Sequence, residues 1–183
     1  MTDESATLGK RIQQLEDIAA IQDVQYSYWR AIDTKQPDDL RQVFSPDGIC
    51  VNFQDMPVWN DREAFVSFFV ELGMNPARQE NHFGTAPRIV LTGEDSAEGN
   101  WRLHMFAYDF EQRITIRITG VYDCEYVRSD GRWWIKSMVF VRHSLFTEQI
   151  GPLGEMSALG FGAVAEESAA YLFGSEEAAD QTA

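Results

Sequence analysis

The chain has little of what several specialised protein classes require. Only two cysteines, Cys50 and Cys124, occur among 183 residues, and they have no paired spacing. That excludes a disulfide framework or a cysteine-built zinc site and predicts reduced core thiols in a cytoplasmic protein. Positive charge is scarce: 15 Lys and Arg stand against 29 Asp and Glu, for a net charge of −14. So acidic a chain is repelled by nucleic acid and by anionic membrane surfaces, and neither is an expected partner. No window holds the roughly 18 successive apolar residues of a membrane helix, and the polar start Met1-Thr2-Asp3-Glu4-Ser5 does not read as a signal peptide. The three histidines, His82, His104 and His143, are scattered without a local ligand pair. No metal and no cofactor are therefore expected.

Apolar material is plentiful, at 44% hydrophobic and 13% aromatic residues. The length suits one well-buried domain and is short for two, and the aromatics could line a cavity. Residues 1–8 are predicted to be disordered. Leu15 to Ile32 reads as a helix, with Ile21, Val24, Tyr28, Ala31 and Ile32 forming one apolar stripe. Pro37 to Phe44 reads as a short second helix, Ser45-Pro46-Asp47-Gly48 as a turn and Ile49 to Phe53 as a short strand. Asn60-Asp61-Arg62-Glu63 has the form of a capping box that launches a phenylalanine-rich helix over Ala64 to Leu72, with Gly73 as its stop.

From His82 onward the pattern alternates, and strands are predicted over 82–92, 97–110, 112–128 and 132–146. Strands this long must curve or bulge to pack. Helices followed by a meander predict an α+β domain over 9–150, with the helices on one face of a curved mixed or antiparallel sheet. The stretch 151–174 is rich in glycine and apolar residues, and reads as an extension that serves as a lid or a subunit contact. The acidic end 175–183 reads as disordered.

Few residues could carry chemistry. Asp33 follows the apolar Ala31-Ile32 at the end of the first helix, where the negative pole of the helix disfavours a carboxylate by about 0.3–1 kcal/mol. Its plainer reading is a solvated loop residue, or one paired with Lys35. His82 enters a strand, either as a half-buried, satisfied histidine or as a general base oriented by Asp33. Tyr28 is either a core tyrosine or a donor aimed at a carbonyl or enolate oxygen. Five residues separate it from Asp33, about 140° around a helix, so the two flank one another rather than share a face. Arg142 alternates with Met138 and Phe140, and is either an unusual cation on an aromatic face or a salt bridge at the sheet margin. His104 alternates out of step with Trp101, Leu103 and Met105, and His143 lies on the opposite face of its strand from Arg142.

Taken in order, several segments resemble the SnoaL-like branch of the nuclear-transport-factor-2-like (cystatin-like) cone fold. They are Asp17-Ile18-Ala19-Ala20-Ile21, Tyr28-Trp29-Arg30-Ala31-Ile32-Asp33, His82-Phe83-Gly84-Thr85-Ala86-Pro87-Arg88-Ile89, Ala97-Glu98-Gly99-Asn100-Trp101, Gly120-Val121-Tyr122 and Asp130-Gly131-Arg132-Trp133. The branch includes scytalone dehydratase, a hexachlorocyclohexane dehydrochlorinase and a bile-acid 7α-dehydratase. The resemblance implies a cone-shaped cavity beneath the helices and a histidine base, His82, oriented by Asp33 for an elimination. Tyr28 and Arg142 match a helix tyrosine and a pocket arginine of the bile-acid enzyme. Relatives of this kind are commonly trimers, so a homotrimer is the expected assembly.

The departures from the pattern are informative. Met105 stands where the bile-acid enzyme has an acidic residue, Phe53 where scytalone dehydratase has a second tyrosine, and Met138 where the dehydrochlorinase has an arginine. A pocket lined by Phe53, Phe68, Trp101, Met105, Met138 and Phe140 would suit a small apolar cyclic or steroid-like substrate. The reading is a cofactor-independent lyase, of dehydratase or other elimination type, or an isomerase. No group for helping a hydroxyl leave stands out in the sequence. The alternative is a non-catalytic ligand-binding or accessory subunit of the same fold, whose cavity would be filled by packed side chains.

Overall fold

A computed structural model describes residues 2–54 and 56–162. The first helix, α1, spans Thr2–Asp33, so its first two turns occupy residues expected to be disordered. The reason is propensity rather than burial. Residues 4–16 are exposed, and most of the segment consists of good helix formers (Glu, Gln, Leu, Lys, Arg and Ala), with one glycine and no proline. An exposed helix leaves no apolar periodicity to detect.

The second half of α1 is anchored by buried polar groups. Asp17 accepts hydrogen bonds from Arg128 (2.6 Å) and from the Trp133 indole (3.1 Å). Two turns on, Gln25 accepts from the Tyr126 hydroxyl at 2.6 Å, which in turn accepts from the Trp101 indole at 2.9 Å. These bonds fix how α1 lies on the sheet. They satisfy polar groups that would otherwise cost about 1–3 kcal/mol each to bury.

A short α2 (Pro37–Arg41) opens with proline in its first turn. Strands β1 (Cys50–Phe53) and β2 (Val58–Trp59) pair antiparallel. Helix α3 spans Arg62–Gly73 and is capped by Asp61, whose carboxylate accepts from the Ala64 amide. The cap is thus one residue later than the predicted box, and Glu63 instead pairs with Arg41 at 2.8 Å.

Four long strands follow: β3 (Arg78–Leu91), β4 (Ser96–Asp109), β5 (Ile114–Ser129) and β6 (Arg132–Ile150). A last strand, β7 (Met156–Gly162), pairs antiparallel with the end of β6, so the start of the glycine-rich extension is sheet edge. The rest of the expected extension and the expected disordered end, residues 163–183, lie outside the described residues. The sheet is open, in the order β2-β1-β6-β5-β4-β3. Strand β1 runs parallel to β6.

Turn chemistry fixes the register. Asp130 and Gly131 both have positive φ (52° and 76°) between the paired residues Ser129 and Arg132. Two left-handed residues between paired ends match the right-handed twist of a hairpin. Bulges supply the curvature. One interrupts β3 between Thr85 and Arg88, and another leaves His143 unpaired between Arg142, opposite Gly120, and Ser144, opposite Thr119. Arg142 is consequently buried while His143 is exposed, as the alternation requires.

Candidate active site

Along β3 the side chains of Arg78, Glu80 and His82 alternate onto one face, and all three line a cavity of about 150 Å³. The next inward position is Gly84, where an added Cβ would lie 1.8 Å from the Trp29 ring. Glycine here lets Trp29 of α1 lie against the strand, which brings the end of α1 to the level of His82.

There Asp33 meets the histidine twice. Its Oδ2 accepts from the His82 backbone amide at 2.9 Å, and its Oδ1 lies 2.6 Å from Nδ1 of the ring. A carboxylate only accepts, so Nδ1 carries the hydrogen. That leaves Nε2, with its lone pair, as the ring nitrogen to meet a substrate. The His82 side chain is 8% exposed and that of Asp33 22%. Lys35 is not Asp33's partner: its ammonium donates to the Gly73 carbonyl, and burial lowers its pKa.

Tyr28 lines the same cavity, five residues before Asp33. Tyr122 on β5 lines it too, and its hydroxyl interacts with that of Tyr28. Burial is the larger influence on both and pushes each well above the usual tyrosine range, so both hydroxyls stay protonated at any physiological pH. Tyr122 is a cavity residue that sequence reasoning missed. Arg142 also reaches the cavity, and its backbone amide donates to the Gln54 side chain at 3.1 Å.

Of the predicted apolar lining, Phe53, Phe68, Met105 and Phe140 face the cavity, but Trp101 and Met138 do not. Both are fully buried core. Trp101 packs edge-on against Trp29 at 5.5 Å and hydrogen-bonds Tyr126. Met138 sits between Val51 and Cys124 in the sheet. Apart from Phe68, which comes from α3, these residues share the inward face of the sheet, as the alternation implies. Coverage by helices makes one stretch of that face core and leaves another lining a cavity. Ile32, Met56, Phe65, Phe69, Leu72, Leu103 and Ile118 complete the apolar wall.

Arg78 and Glu80 were missed for a different reason. The strand was expected to begin at His82, because the residues before it are polar and show no hydrophobic alternation. It begins four residues earlier, where Arg78 to Asn81 pair with Asp109 to Phe106 of β4.

The long first helix, the curved, unclosed sheet and the apolar cavity between them define an α+β cone of the nuclear-transport-factor-2-like type. Within that class, residues 13–139 match the SnoaL-like domain, and the chain belongs to that family. Solved structures with the same fold include a type-2 hexachlorocyclohexane dehydrochlorinase (TM-score 0.68, 19% identity, covering 82% of this chain and 93% of that one). The type-3 enzyme from Novosphingobium barchaimii LL02 is similar (TM-score 0.67, 19% identity, 82% and 94% covered). So is a scytalone dehydratase-like protein from Novosphingobium aromaticivorans (TM-score 0.64, 17% identity, 83% and 90% covered).

Proposed function

We propose that the protein is a cofactor-independent lyase or isomerase in which His82 removes a carbon-bound proton next to an activating carbonyl. The observation that carries this reading is the Asp33–His82 contact of 2.6 Å at the wall of an apolar cavity. Asp33 fixes the tautomer and stabilises the imidazolium that forms. Tyr28 and Tyr122, which share the cavity wall, supply hydroxyl donors for the oxygen on which charge develops, and Arg142 adds positive charge to the same cavity. Structural relatives named as a dehydrochlorinase and a dehydratase-like protein support an elimination.

Cavity size narrows the substrate. An apolar cavity of about 150 Å³ accommodates a benzene-sized ring, so a single six-membered ring fits better than a steroid nucleus. The accessory-subunit reading called for a cavity filled by side chains, and the space beside His82 argues against it. The test is exchange of the α-hydrogens of cyclohexanone in heavy water, followed by NMR. Replacing His82 with alanine should lower the catalysed exchange by at least about 100-fold; an unchanged rate would refute the role of His82.

A homotrimer in the cytoplasm completes the proposal. Both cysteines are free. The outer sheet face exposes Phe83, Val90, Phe106, Tyr108 and Val141, an apolar area that a second and third copy would cover. Light scattering should give three times the chain mass, and a monomer at micromolar concentration would refute the assembly.

A further inference from the structure

Resting on that reading, we propose that the substrate ring carries a second oxygen, across from the carbon that His82 deprotonates, and that Gln54 is the specificity-determining residue that donates a hydrogen bond to it. Gln54 lines the cavity, and the proton transfer itself does not use it. It follows the end of β1, where Phe53 pairs with Phe140 of β6. Its backbone amide donates to the Phe140 carbonyl at 3.2 Å. In a regular parallel ladder the Arg142 amide would then donate to the main-chain carbonyl of Gln54. It donates instead to the side-chain carbonyl of Gln54, at 3.1 Å.

That bond decides which way round the carboxamide lies. A backbone N–H only donates, so the atom it meets is Oε1, and Nε2 with its two hydrogens is left for the cavity. Among the described residues Nε2 has no hydrogen-bond partner. A donor held against hydrocarbon is unfavourable, and an acceptor oxygen removes that penalty. The site therefore discriminates in favour of a ligand that brings an oxygen to Gln54.

Position separates this oxygen from the one on which charge develops. His82 stands on β3 at one end of the sheet, and Gln54 follows β1, four inter-strand steps away, roughly 19 Å along the sheet. Curvature brings both onto one cavity, with Leu103, Met105 and Ile118 of the intervening strands β4 and β5 as its floor. His82 and Gln54 therefore meet opposite sides of one ring. The activating carbonyl is bonded to the carbon that loses its proton, so it stays on the His82 side. The oxygen at Gln54 is a second one, and the substrate class is a six-membered ring with carbonyl oxygens at opposite ends rather than a monoketone.

The test measures dissociation constants on the full-length protein, by NMR titration, for two ligands of one shape. They are 1,4-cyclohexanedione and 4-methylidenecyclohexanone, in which a methylidene group replaces one carbonyl oxygen. The quantity read is the ratio of the two constants, so a change that disturbs the cavity as a whole cancels. Gln54→Glu keeps the size and the acceptor for the Arg142 amide, and puts an oxygen where Nε2 was. Gln54→Met keeps the length and removes the donor without adding charge. Each should shift the ratio against the dione by at least about threefold.

An unshifted ratio in both variants, equal weakening of the two ligands included, would overturn the proposal and make Gln54 a structural link between β1 and β6. A shift in Gln54→Glu alone would also overturn it, since charge repulsion and not a lost donor would then be the cause. The base is judged separately, by wild-type exchange of the ring hydrogens of the dione in heavy water. Catalysed exchange with an unshifted ratio would overturn the role of Gln54 and leave the base standing. A shifted ratio without catalysed exchange would overturn the base alone.

Discussion

Replacing Gly84 with alanine tests the whole chain from packing to chemistry. The added Cβ would lie 1.8 Å and 1.9 Å from two carbons of the Trp29 ring. Ordinary carbon contacts are about 3.5–4.0 Å, so the ring must retreat by roughly 1.7–2 Å. It has nowhere to turn, because Tyr26, Trp101 and Tyr122 pack around it with centroids 5.5–6.2 Å away. The helix must move instead, and Asp33 lies one turn further along the same helix. Its bonds to His82, 2.6 and 2.9 Å long, would both stretch beyond the hydrogen-bond limit.

Overpacking costs about 1–3 kcal/mol, and each lost bond to a charged group adds about 1.5–3 kcal/mol. Together these amount to about 4–9 kcal/mol, so a loss of at least about 4 kcal/mol in urea denaturation is expected, with cyclohexanone exchange falling at least as far as in an Asp33 variant. A loss below about 1 kcal/mol together with wild-type exchange would refute the claim that Gly84 sets the distance between helix and strand. Gly9→Ala is the matching control. Nothing lies within 4 Å of its new Cβ, and the helix should gain about 0.5–1 kcal/mol.

The remaining predictions concern alkaline pH. Burial raises the pKa of Tyr28, Tyr122 and Tyr126 above the tyrosine range and pushes the Cys124 thiol up to about 12. Their neutral forms stabilise the fold fully below the unfolded values, about 8.5 for Cys and 10 for Tyr, and this contribution is lost as pH rises through the folded values. Tm should therefore fall steadily from pH 8.5 to 11 (about the range set by those values), and the three tyrosines should ionise only with unfolding. A flat Tm, or smooth ionisation of every tyrosine near its ordinary value, would refute this. A thiol reagent at neutral pH should label the exposed Cys50 and leave Cys124 untouched until the protein is denatured; equal labelling of both would contradict the burial of Cys124.

Much of the architecture was legible because it is written in local patterns. The helix stripe from Ile21 to Ile32, the Asp130-Gly131 hairpin and the alternation along β4 to β6 each follow from a period or a turn chemistry that acts over a few residues. The exposed start of α1 and the polar start of β3 were not legible, because neither carries an apolar period. The second omission concealed Arg78 and Glu80, two charged residues of the cavity wall.

By itself the sequence determined which residues share the inward face, and it contained an aspartate and a histidine suited to one another. Only the tertiary structure decided their meeting, since 48 intervening positions fold back before Asp33 reaches His82. It likewise decided that Trp101 and Met138 are core while Phe53, Met105 and Phe140 line the cavity. The physical reason is common to both. Side-chain direction is a local property of the strand, whereas which part of a face is covered depends on where α1 and α3 come to rest.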